Sequence, residues 1–167
     1  VVFDKTGTLT NGKPEVTDVI TVQNSKLKTQ NEKDILFLAA SIEKGSEHSL
    51  AEAIVKKADE QKLELAKTEG FQAIAGHGVE GKVDGKKVVL GNRKLFDREK
   101  IEIQKQVQDD IEKLESEGKT VMLLGINDKL IGLIAVADTI KDSAKAGIAE
   151  LHKMHIETVM ITGDNER

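Results

Sequence analysis

Val1-Val2-Phe3-Asp4-Lys5-Thr6-Gly7-Thr8-Leu9-Thr10 is the stretch on which the reading of the fold turns. Three apolar residues stop at a carboxylate, and a small, polar, glycine-bearing run follows. That pattern predicts a buried strand opening into a loop. The far end of the chain has the same syntax. Residues 140–155 carry a helical stripe of Ile148, Leu151 and Met154, residues 158–161 read as a buried strand, and Thr162-Gly163-Asp164-Asn165 reads as a loop after it. Strand, loop, helix and strand at the two ends are α/β order. If the end strands pair in parallel, Asp4 and Thr162-Gly163-Asp164 emerge at one sheet edge, the edge where open α/β sheets bind ligands.

The middle follows another rule. Residues 15–22 are rich in Val, Ile and Thr and predict a strand, and residues 23–30 a polar loop. Asn31 is placed to cap a helix running through Glu43. A second helix is expected from Ser46, joined to the first through Lys44-Gly45. Strands at 71–75, 79–83 and 87–90 follow, the last two turning at Asp84-Gly85. A helix over 100–117 is stopped by Gly118, and a hairpin over 120–126 and 130–136 turns at Asn127-Asp128. Hairpins of strands and hairpins of helices make an α+β unit, residues 13–133, inserted into an α/β unit made of residues 1–12 and 134–167.

Composition limits the chemistry. The 38% hydrophobic share plus 14 glycines comes to about 46%, an ordinary globular value. With 25 basic and 29 acidic side chains among 167 residues the net charge is -4, so a basic face for nucleic acid is not expected. There is no cysteine, which excludes a disulfide framework and thiolate metal sites. The longest apolar run, residues 130–137, is far short of the roughly 20 residues that span a bilayer. A chain starting at Val1 and stopping just after a strand reads as a piece of something longer.

A carboxylate at the mouth of a glycine-bearing loop can act as a nucleophile while the loop's amides bind the anion it attacks. All seven residues Asp4-Lys5-Thr6-Gly7-Thr8-Leu9-Thr10 together resemble the phosphorylation signature of P-type ATPases. The resemblance implies that Asp4 takes the γ-phosphoryl of ATP as an aspartyl phosphate, flanked by Lys5 and Thr6, with Mg²⁺ held partly by Asp4 and Thr6. Related phosphatases carry a second Asp where Thr6 stands, so a longer-lived acyl phosphate is expected here. Thr162, Gly163 and Asp164 are similar to the family's second phosphate motif, and Asp138-Thr139-Ile140-Lys141 to its Asp-x-x-Lys hinge, with helix capping as the alternative use of Asp138.

Ser46-Glu47-His48, then Gly76-His77-Gly78-Val79, then Gly91-Asn92 resemble the nucleotide-binding domain of heavy-metal-transporting P-type ATPases. The resemblance implies nucleotide contacts from Glu47, His48, Gly76, Gly78 and Asn92, with the glycines admitting a flat purine to the backbone. One residue departs from the family: Ser49 stands where Pro is usual. Gly76-His77-Gly78-Val79-Glu80-Gly81 also fits G-x-G-x-x-G, but a dinucleotide site needs those glycines to open a helix, whereas a hairpin is predicted here.

The expected fold is thus an antiparallel sheet flanked by helical hairpins, inserted in an incomplete haloacid-dehalogenase-like phosphorylation domain. The implied protein is an ATP- and Mg²⁺-dependent exporter of a heavy-metal ion at a cell membrane, this part lying on the cytoplasmic side. The actuator, metal-binding and membrane domains, further Mg²⁺ carboxylates and a phosphoryl-neutralising Lys are expected outside these residues, so no sustained turnover is expected from them alone. Copper(I) is the favoured cargo. Zinc, cadmium or lead export is the alternative, followed by a stand-alone nucleotide-binding module or phosphatase. Potassium and calcium pumps lack the Ser-Glu-His and Gly-x-Gly pair.

Overall fold

The structure is a computed structural model that describes residues 1–22 and 31–161. The loop expected at 23–30 and the Thr162-Gly163-Asp164-Asn165 motif lie outside them. The chain divides into two units, one built from Val1–Glu15 together with the chain from Asp138 onward, the other from Val16–Ala137.

The second unit is built on a six-stranded sheet in the order β2-β7-β6-β5-β4-β3. Its strands are β2 (Thr10–Thr21), β3 (Thr68–Ile74), β4 (Gly78–Val83), β5 (Lys86–Gly91), β6 (Thr120–Ile126) and β7 (Lys129–Ile140); β2 and β7 continue in sequence into the other unit. The pairs from β3 to β7 are all antiparallel. The two hairpin turns form where expected, because Asp84-Gly85 and Asn127-Asp128 take the positive φ that a twisted two-residue turn demands.

Both sheet faces are covered. Helices α1 (Glu32–Glu43) and α2 (Ser49–Glu60) pack Ile35, Leu36, Ala39 and Ile54 against Val79, Val83, Val88, Leu90, Met122 and Leu124. The alternate residues Val89, Val121, Leu123 and Leu133 meet Leu95, Phe96, Ile111 and Leu114 on the other face. This period of two along each strand is the pleat itself. Asn31 caps α1 in a reciprocal box with Asp34.

Two expectations fail here. The helix predicted over 100–117 begins only at Lys105, as α4 (Lys105–Ser116), and a short helix before it, α3 (Arg93–Arg98), was not expected. Asn92 starts α3 by accepting from the Leu95 amide at 3.2 Å. Lys100 at φ 55 then ends it, and the buried Ile101 anchors an extended link. Gly118 does stop α4, at φ 77. The second failure is the cap of α2, which is His48 rather than Ser46.

In the first unit, β1 (Val2–Asp4) pairs in parallel with β8 (Val159–Ile161), Asp4 opposite Ile161. The parallel pairing is as expected; the burial is not. Val2 is 61% exposed and Ile161 59%, because this sheet has two strands and the helix beside them in sequence, α5 (Asp142–Lys153), buries no residue. Met154 is also exposed. The helix begins at Asp142, and Lys141 before it is extended and makes no side-chain capping bond.

Lys119, at the start of β6, is held by Asp18 at 2.8 Å and Glu117 at 2.7 Å. Burial alone would raise the Asp18 carboxyl, but hydrogen bonds from Lys119 and Thr17 outweigh it and hold the group below its ordinary value. A depressed carboxyl stabilises the fold above its unfolded pKa and loses that contribution as the pH falls through the folded one. Asp18→Asn is therefore expected to lower stability in urea at pH 7 by up to about 1 kcal/mol. The gap from the parent chain should close as the pH falls below about 4; a gap constant down to pH 3 would contradict the ion pair's role.

Candidate functional site

Asp4 closes β1 with extended backbone and makes no capping bond to the loop after it, Lys5–Leu9. Its carboxylate is exposed and points no oxygen at the amides that follow. The loop turns sharply, with Thr6 extended (ψ 121) and Gly7 at φ 78, a conformation that suits glycine. It is held from behind. Thr10, 1% exposed, accepts from the Gly7 amide at 3.1 Å and donates to Asp138. Asp138 also accepts from the Gly12 amide at 2.9 Å. Lys141 Nζ donates to the carbonyls of Gly7 at 2.6 Å and Thr8 at 3.3 Å, and its amide to Leu9 at 2.9 Å. Asp138 is thus a brace rather than a helix cap: it fixes the loop from a strand, and Lys141 gathers the carbonyls on the other side. Lys141 draws in the Gly7 and Thr8 carbonyls, while Asp4 and Thr6 are both exposed.

The second site is a cleft of about 390 Å³ in the other unit. Its walls come from the α1–α2 junction (Glu43, Ser46, His48, Leu50), the turn between β3 and β4 (Gly76, His77, Gly78) and the sheet (Val79, Val121, Met122). Asn92 joins turn to helix: while its oxygen caps α3, its Nδ2 donates to the Gly76 carbonyl at 2.9 Å, and its amide to the His77 carbonyl at 2.9 Å.

The glycines have separate reasons. Gly76 sits at φ 71 with nothing within 4 Å of where a Cβ would be, so it leaves open space in the cleft. Gly78 is different, since a Cβ there would stand 2.2 Å from the Leu90 carbonyl, and one on Gly91 2.2 Å from the His77 carbonyl. Those two glycines are required by the approach of β4 to β5, not by room for a purine.

His48 Nδ1 accepts from the Leu50 amide at 3.3 Å, so the neutral ring carries its proton on Nε2. Glu47 is exposed and outside the cleft wall. The acid in the wall is Glu43, 4% exposed, four residues earlier at the end of α1. Burial pushes its carboxyl up, opposed by a hydrogen bond from Ser46 and the nearby His48. Its Oε2 has no partner. A carboxylate on the apolar stripe of α1, seven residues after Leu36 and four after Ala39, was the signal for it in the sequence.

The family profile of haloacid dehalogenase-like hydrolases matches residues 1–167. The chain belongs to that family. Within this haloacid dehalogenase-like frame, copper-exporting P-type ATPases of Staphylococcus aureus are 47% identical over 166 residues, 99% of this chain; the chain spans 20% of their length. A zinc-transporting PIB-type ATPase in an E2.Pi state superimposes with a TM-score of 0.86 at 37% identity, over 99% of this chain and 26% of that one. The catalytic domain of the CPx-ATPase CopB-B, described for its changes on nucleotide binding, gives a TM-score of 0.64 at 27% identity, over 99% of this chain and 52% of that one. The resemblance to heavy-metal-transporting P-type ATPases is thereby borne out. Among the described residues no helix is long and apolar enough to cross a membrane.

His48 has two jobs, in the wall and at the helix start. His48→Ala should cost about 1 kcal/mol of stability through the lost cap, whereas His48→Asn restores a capping oxygen; both should weaken ligand binding. Thermal melts and titrations of the two variants separate the roles, and equal melting of all three proteins would remove the capping one. Ser49 is the first residue of α2, where an amide has no partner within the helix, and His48 before it is extended at ψ 141. Both suit proline. Ser49→Pro should raise stability by about 0.4 to 1 kcal/mol, read as a higher Tm; a fall would show that the Ser49 amide or hydroxyl makes a bond the helix needs.

Proposed function

We propose that this chain is the ATP-binding and phosphoryl-accepting part of a P-type ATPase that exports copper(I), working on the cytoplasmic side of the membrane that holds the rest of the protein. The observation that carries the reading is the cleft: an apolar slot of a size ordinary for small ligands, with one unpartnered buried oxygen, Glu43 Oε2, in its wall. Among the side chains present, that oxygen suits a neutral donor such as the exocyclic amino group of adenine, since an unmet buried acceptor costs about 1 to 3 kcal/mol. The aliphatic wall of Val79, Val121 and Met122 takes the faces of the base, with no Tyr or Trp in the chain to stack on it.

Asp4 then attacks the γ-phosphorus of ATP, its carboxylate oxygen forming the new P–O bond as the bond to ADP breaks. Its oxygens, unclaimed by the loop's capping position, are free to do so. Gly7 gives the loop its turn and Thr10, Asp138 and Lys141 hold it. Asp4 and Thr6 offer hard oxygen donors of the kind Mg²⁺ takes alongside phosphate and water, and among the described residues no cluster of three or more acidic or histidine side chains forms a metal site. The bound ion would offset charge on the transferring phosphoryl group. Thr162, Gly163 and Asp164 would line the same phosphate in the family pattern. Thr6, lacking a carboxylate, has no base with which to activate water against the acyl phosphate.

Zinc export is the second reading, favoured by the likeness to the zinc-transporting structure; copper stands ahead because identity to the copper exporters is higher. The actuator, membrane and metal-binding domains of the same protein, and the metal ion it moves, would be the partners.

Glu43→Gln tests the cleft. A raised carboxyl pKa means the ionised form costs stability above its unfolded pKa, so Gln should leave the Tm at pH 8 equal or higher. ATP affinity measured by calorimetry should fall about tenfold, the worth of one hydrogen bond to a charged group. Unchanged ATP affinity in a folded variant would displace the adenine from this wall.

A further inference from the structure

A phosphate ester is an anion, and the cleft is short of cations. Among the described residues that line it there is no Lys or Arg. Three flank its lining residues in sequence, and none lines it: Arg93, next after Asn92, holds Glu115 at 3.1 Å, Lys119, before Thr120, lies between Asp18 and Glu117, and Lys44, next after Glu43, is exposed and lines two other clefts instead. Only His48 and His77 in the wall can become positive.

Their hydrogen bonds set them apart. His48 uses Nδ1 as an acceptor for the Leu50 amide, so a second ring proton would have to displace that bond and uncap α2. His77 is arranged the other way. Its Nδ1 lies 2.8 Å from the Ala75 carbonyl; a carbonyl only accepts, so Nδ1 carries the proton in the neutral ring and Nε2 is bare. Protonation at Nε2 leaves the Ala75 bond intact. The backbone is pinned as well, His77 N donating to Ile74 O at 2.9 Å and Asn92 N to His77 O at 2.9 Å. The ring is thus presented on a fixed turn at the half-exposed rim, while Glu43, Val79 and Met122 form the buried end.

We propose that His77, protonated at Nε2, is the cationic contact for the phosphate chain of a nucleotide whose base occupies the buried end of this cleft, and that it makes nucleotide affinity depend on pH. The proposal rests on the nucleotide reading above. The titratable groups sharing the cleft with His77 are Glu43 from α1 and His48 at the head of α2. Glu43 sits at the base end, and His48 keeps its capping bond only while Nδ1 is unprotonated, so the change of charge at the rim falls to His77. Histidine changes charge between about pH 5 and 8, and an exposed charge pair is worth about a three- to fivefold change in affinity.

The test compares ADP with adenosine, which has the same base and no phosphate, on the full 167-residue chain at pH 6 and pH 8, by calorimetry. It is run on the parent and on His77→Gln, whose amide can still reach Ala75 but cannot ionise. NMR of the ring Cε1–H follows protonation of His77 directly. Relative to His77→Gln, the parent should bind ADP roughly three- to fivefold tighter at pH 6 than at pH 8. Adenosine should show no such difference, and saturating ADP, but not adenosine, should move the His77 titration to higher pH. Comparison with His77→Gln removes the titration of ADP's own terminal phosphate, which both proteins see. If ADP and adenosine both bind but the pH dependence is the same in parent and variant, the proposal is overturned and the nucleotide reading stands. If adenosine shares the pH dependence, protonation acts at the base and the proposal is again overturned. If neither ligand binds, both fall together.

Discussion

The closest constraint in the molecule is the meeting of β4 and β5 at Gly78 and Gly91, which are opposite each other across the ladder. Neither can carry a side chain, since a Cβ on either would overlap the other strand's backbone. That contact brings Leu95 down onto both glycines, and so sets where α3 begins. Because α3 begins at Asn92, the same residue can reach back to Gly76 and to His77. The turn that walls the cleft is therefore located by packing between two strands, at glycines that themselves line it. Cleft wall and fold are separate demands that meet in one short turn: the His77 backbone is fixed by the packing, while its ring and Gly76 are left to the cleft.

The unit containing Asp4 works on another principle. Its strands are scarcely covered, yet the Lys5–Leu9 loop is over-determined: the buried Thr10 hydroxyl takes the Gly7 amide, the Lys141 ammonium takes the Gly7 and Thr8 carbonyls, and the Asp138 carboxylate holds Thr10 and the Gly12 amide. Thr10 is the pivot, because it accepts from Gly7 and donates to Asp138 with one hydroxyl. Preorganisation of this kind matters more for phosphoryl transfer than reactive side chains do, since positioning and charge stabilisation are most of the catalysis.

How far the chain could be read from its letters depended on range. Asp84-Gly85 and Asn127-Asp128 were legible because a positive φ is a local property. Asn31 was legible because capping needs only a neighbour three residues on. The parallel pairing of β1 with β8 followed from α/β order, but their burial did not, since burial depends on layers that no alternation of residues specifies. The start of α4 was placed too early because the apolar spacing runs through Ile101 and Ile103 although the helical backbone begins only at Lys105. Glu47 was singled out because motif adjacency ranks the residue next to His48 first, whereas the acid in the wall is Glu43 at the end of α1.

His48 leaves a consequence for how variants would be seen in a living cell. One imidazole both caps a helix and lies in the cleft wall, so a change that removes the cap would lower the population of folded chain on top of any loss of binding at the cleft. Losses of 1 to 2 kcal/mol alter steady-state protein abundance several-fold through quality control. A cell carrying such a variant would therefore be short of protein before it was short of activity, and an assay normalised to total cells would report a far deeper defect than one normalised to purified molecules.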